Sequence, residues 1–111
     1  MHLYANGHLI FGVLIDPDAR GVMESRKLHE FDKENGSDLG YLTSGSFSED
    51  DLYLTAYHAG AEPGDPARIG PHNFSRKNRT IWKRQIEKFL RENQIEAFGE
   101  IGLWIIADLD N

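Results

Sequence analysis

The chain has 111 residues, with 12 basic and 18 acidic side chains, a net charge of −6 and no cysteine. That length suits one domain with one core, burying somewhat more than ~60% of its unfolded surface without a covalent staple. The lack of cysteine excludes a disulfide framework, thiolate catalysis and any cysteine-ligated zinc or iron–sulfur centre. The first residues lack the basic stretch of a secretory leader, and no apolar run approaches the ~18–20 residues that cross a bilayer. The reading is therefore a soluble, cytoplasmic protein without membrane association.

The first predicted element is a strand at about residues 7–16. Leu9, Phe11, Val13 and Ile15 alternate there with Ile10, Gly12 and Leu14. Both faces are apolar, the pattern of an interior strand. Asp16-Pro-Asp-Ala-Arg-Gly21 ends it, because proline lacks a ladder donor and Asp and Gly favour turns. From 22 to 32, Val22, Met23, Leu28 and Phe31 fit neither a clean helical arc nor strict alternation, and a polar edge strand near 26–31 is the reading preferred. A loop at 33–38 follows.

Segments 39–47 and 52–58 read as a hairpin with an acidic tip, Ser48-Glu-Asp-Asp51. In the second arm Leu52, Leu54, Ala56 and His58 alternate with Tyr53, Thr55 and Tyr57. Residues 59–75 are rich in Gly and Pro and predict a long loop, of a length that is often functional.

Trp82, Ile86, Phe89 and Leu90 then recur at helical spacing and predict a helix over about 80–93. Thr80 is its expected N-cap, and Asn93-Gln94 its expected stop. The last element, Ile101-Gly-Leu-Trp-Ile-Ile-Ala107, is apolar on both alternating faces and predicts a central strand. The expected fold is α+β: one small domain, a mixed, mostly antiparallel sheet of four to five strands, and one main C-terminal helix on one face. A single helix leaves the other face poorly covered, so homodimerisation is an expectation.

Charge is segregated along the chain. Residues 68–91 hold eight basic side chains and one acid, a net of +7; the remainder holds four basic and seventeen acidic ones, a net of −13. The functional reading is a small non-enzymatic interaction module of accessory, adaptor or inhibitor type, needing no cofactor. It would present a basic helix face, with the adjacent loop, to an acidic protein partner or to a second copy of itself. The contact residues are Arg76, Lys77, Arg79, Lys83, Arg84 and Lys88. Nucleic-acid binding is a weaker alternative, because Trp82 belongs to the core arc and the rest of the chain would repel a polyanion.

Two other constellations carry chemistry in principle. Val13-Leu-Ile-Asp16-Pro-Asp18 resembles the aspartate motif of haloacid-dehalogenase phosphatases, an apolar strand ending in Asp-x-Asp. Ala19-Arg20 depart from that motif and the chain is too short for the family's domain, so membership does not follow. A similar pattern ends the chain at Asp108 and Asp110. If the two strands ran side by side in one direction, four carboxylates would gather and hold a divalent metal for phosphoester chemistry, the alternative function. His58, His72 and Asp65 would form a zinc site only if the long loop folds back; His2, His8 and His29 read as surface residues.

Overall fold

β1 (Tyr4–Ile15) is the strand on which the others assemble, as its two apolar faces require. In the computed structural model, which describes residues 4–46, 49–61 and 74–110, it lies between β3 (Glu49–Ala61) and β4 (Gly102–Asp110). β2 (Gly40–Ser46) lies beyond β3. Every pairing is antiparallel. A 3₁₀ turn (Pro17–Ala19), α1 (Arg20–Glu24) and α2 (Lys27–Asn35) lead from β1 to β2, and α3 (Arg76–Glu92) leads from β3 to β4. This is the expected α+β fold, with two interlocked split β-α-β units in the ferredoxin-like strand order. Among the described residues no helix is long and apolar enough to cross a membrane.

The segment at 22–32 is helical, not an edge strand. Ser25 is extended (ψ 177°) between α1 and α2, so the two short helices have independent phases. A single arc through Val22, Met23, Leu28 and Phe31 therefore fails, although Leu28 and Phe31 alone have helical spacing and are buried. α2 stops at Gly36, whose φ of 62° suits a residue without a Cβ. The Asp32 carboxylate then accepts from the Ser37 hydroxyl and, at 2.9 Å, from the Leu39 N–H, tying down the entry to β2.

α3 starts four residues before the predicted boundary. Ser75, not Thr80, is its N-cap, accepting the Asn78 N–H at 3.1 Å. Thr80 sits one turn inside and donates its hydroxyl to the Arg76 carbonyl at 2.9 Å. The helix stops where expected: Asn93 donates its side-chain amide to the Phe89 carbonyl, and Gln94 takes a φ of 54°.

All three helices share one face of the sheet. There Phe11, Val13, Ile15, Leu52 and Leu54 meet Met23, Leu28, Phe31, Ile86, Phe89 and Leu90 in one cluster. Phe31 and Phe89 pack edge to face, with ring centroids 5.2 Å apart. α3 lies over β3 and β1. It does not cover β4, and this corrects the expectation of a central final strand: β4 is the sheet's edge. Leu103 and Ile105, which share the helix-bearing face with their partners Phe11 and Leu9, are 49% and 84% exposed. On the opposite face of the sheet Ile106 is buried and Trp104 half-buried, so the run is apolar on both sides although only one of them is covered.

The β1–β3 ladder carries a bulge at Phe11/Gly12, where Ala56 is the extra residue. A Cβ on Gly12 would collide with the Leu54 carbonyl oxygen and stand 3.1 Å from the Thr55 Cα. Both are backbone atoms of a paired strand and cannot rotate away. Gly12→Ala is expected to cost on the order of 1–3 kcal/mol in urea unfolding. Ser75→Ala is expected to cost about 1 kcal/mol by loss of the cap.

Candidate functional site

The aromatic residues that seat the first half of α3 also fix where its cations go. Trp82 stacks on Tyr57 at 5.5 Å and approaches Phe11 at 5.4 Å, while Phe74 meets Tyr57 edge-on at 5.0 Å. With Trp82 and Ile86 turned to the sheet, the flank at Arg76, Arg79, Thr80 and Lys83 overhangs the margin where β4 is uncovered. The result is a groove of about 430 Å³ between helix and edge strand. Its walls are Arg76, Arg79, Thr80 and Lys83 on one side, and Phe11, Ile101, Gly102 and Leu103 on the other. No acidic residue lines it among the described residues.

The six sequence-predicted contact residues therefore separate. Arg76, Arg79 and Lys83 converge on the groove. Lys77 and Arg84 are exposed and do not line the groove. Lys88 points to α2 and donates from Nζ to the Asn35 Oδ1 at 2.6 Å, in a partly buried position. Of the adjacent loop predicted at 59–75, residues 59–61 continue β3 and Ser75 caps α3, while 62–73 lie outside the described residues. Sequence reasoning missed Leu103 and Ile105 as surface groups, although their apolar pattern was visible.

The strand-end aspartates do not meet. β1 and β4 are neighbours, but they run antiparallel, and Asp108 is in register with Asn6 while Asp110 is in register with Tyr4. Asp16 follows the other end of β1, ten positions along, or roughly 33 Å at ~3.3 Å per residue. The four-carboxylate centre required both strands to end on the same side. Asp16 instead serves the local backbone, where its Oδ1 accepts the Asp18 N–H at 2.9 Å and caps the 3₁₀ turn. Among the described residues no group of three or more His, Cys, Asp or Glu side chains is placed to hold a metal.

The histidine arrangement also differs from the one predicted. His72 and Asp65 lie outside the described residues, and His58 meets His8 from the neighbouring strand, with His8 Nδ1 and His58 Nε2 2.8 Å apart. The rings are tilted by 38° with centroids 5.0 Å apart. Nothing in the sequence pointed to this pair, because it depends on the β1–β3 register. Partial burial, and then the adjacent His8 imidazole, lower the His58 pKa from its usual 6.5.

The chain was compared with known protein families, curated proteins and solved structures, and no significant match was found.

A lowered pKa means that the unfolded chain protonates at His58 before the folded one does. Stability from this group is complete above the unfolded pKa and declines as pH falls through it, until folded His58 also titrates. Between about pH 7.5 and 5.5 the wild-type melting temperature is expected to fall more steeply than that of His58→Gln. Equal slopes in thermal melts would show that the pair contributes nothing.

Proposed function

We propose that this protein is a small non-enzymatic interaction module that binds an acidic, extended segment of another protein along the groove between α3 and β4. One observation carries the reading: Arg76, Arg79 and Lys83 line one groove, with no acid among its described walls, beside an open strand edge bearing exposed Leu103 and Ile105. A strand edge offers unpaired N–H and C=O groups, apolar side chains supply contact area, and cations select for negative charge. The molecule's net charge of −6 makes a local cationic groove the exception on its surface.

Self-association is the second reading, favoured by the exposure of Ile105 on the edge of the sheet. The two differ in electrostatics. Two copies would bring six arginine and lysine side chains towards one seam, whereas an acidic segment would neutralise three.

The pair Arg79→Glu/Lys83→Glu tests the proposal against the control pair Lys77→Glu/Arg84→Glu, which carries the same charge change on the same helix outside the groove lining. Titration with a poly-glutamate peptide at low salt, followed by amide chemical shifts, is expected to mark α3 and β4. The groove pair is expected to weaken that binding roughly tenfold or more, as loss of charge-assisted contacts would, and the control pair much less. Equal weakening by both pairs would mean a diffuse charge effect and no site. Sedimentation of the wild type and of Ile105→Lys addresses self-association, with the dimer lost in the variant if β4 is the seam. Double-stranded DNA added in place of the peptide is expected to bind weakly. Tight binding with a steep salt dependence would support the nucleic-acid reading.

A further inference from the structure

We propose that His8 and His58 form a binding site for a late first-row divalent ion such as Zn²⁺, Ni²⁺ or Cu²⁺, independent of the α3/β4 groove. The two imidazoles would be adjacent ligands, and water or a bound molecule's donors would fill the remaining positions.

The spacing of the two nitrogens is close to what such an ion needs. Metal–imidazole bonds of about 2.0–2.1 Å put two nitrogens on one ion about 2.9 Å apart at a right angle and about 3.3 Å apart at the tetrahedral angle. His8 Nδ1 and His58 Nε2 are 2.8 Å apart. The ion therefore needs the rings to part by roughly 0.1–0.5 Å and each to turn by roughly 35–45°, so that both lone pairs leave the N···N line and aim at one point. The backbone is well held, because the histidines are on neighbouring antiparallel strands with Ile10 opposite His58 and Gly60 opposite His8. A Cβ at Gly60 would lie 3.6 Å from His8 Nδ1 and 4.0 Å from His58 Nε2, in ordinary van der Waals contact with the pair.

The proton balance is simple. In the metal-free pair one facing nitrogen carries a proton and donates it to the other. On binding, that ring takes its tautomer with the proton on the far nitrogen, so both facing nitrogens offer lone pairs and two neutral rings release no net proton. Nitrogen ligands suit Cu²⁺, Ni²⁺ and Zn²⁺ over the hard ions Mg²⁺ and Ca²⁺. Among the described residues no group of three or more His, Cys, Asp or Glu is placed for a metal, so the two imidazoles are the ligands that the described residues supply.

The test is titration of the full chain with ZnCl₂ and with NiCl₂ near pH 7.5, followed by calorimetry and by imidazole ¹H–¹⁵N spectra. One equivalent is expected to bind, with the largest shifts on His8 and His58, and binding is expected to fade below about pH 6.5 as protons compete. His8→Ala and His58→Ala are each expected to lose it, while His29→Ala, exposed on α2, retains it. Unmoved His8 and His58 signals at millimolar metal would overturn the proposal, and so would wild-type affinity in both alanine variants. The spectra are read on the wild type, so the result does not depend on how the variants fold.

Discussion

Ile86 and Phe89 enter the layer between α3 and the two inner strands leaving no surface to water, and the position of every basic side chain on that helix follows from this. Each such burial is worth about 1.5–3 kcal/mol, more than any exposed ion pair offers. Rotation of α3 is thus set by its apolar stripe, and the cations go where the stripe sends them. Trp82, held between Phe11 and Tyr57, fixes the end of the helix at which the overhang occurs. The groove is a by-product of a narrow helix layer laid over β1 and β3, with the β4 margin left uncovered.

Local pattern revealed much of this. The apolar alternation of β1 marked the inner strand, the spacing Trp82, Ile86, Phe89, Leu90 marked the helix face, and Asn93-Gln94 marked its stop. What was not legible depended on partners distant in sequence. Burial on both faces and exposure on one give the same string of residues, so Ile101–Ala107 read as interior when β4 is an edge. The break at Ser25 hid α1 and α2, because two short helices out of phase mimic neither period. The meeting of His8 with His58 follows from a register that no local pattern contains.

An open edge strand is a hazard that proteins commonly blunt with charge, bulges or a covering element. Here the cations of α3 stand beside the exposed Leu103 and Ile105. Like charges facing one another across a two-fold seam would oppose indiscriminate pairing of copies, while leaving the edge attractive to a segment of opposite sign. Stability and selectivity are thereby divided between the two sides of the same helix: its apolar stripe holds the fold, and its flank sets the electrostatics of the margin.

The placement of β1 between β3 and β4 also bears on how the chain reaches its native state. Phe11 pairs with Tyr57 on one side and with Leu103 on the other, so this apolar segment must wait for residues about 90 positions further along before both its ladders close. Contacts that distant are entropically slow to form. During synthesis the nascent chain therefore carries a hydrophobic strand with one edge unpaired until residues 102–110 emerge, and that interval is when misassociation or chaperone capture has its opportunity.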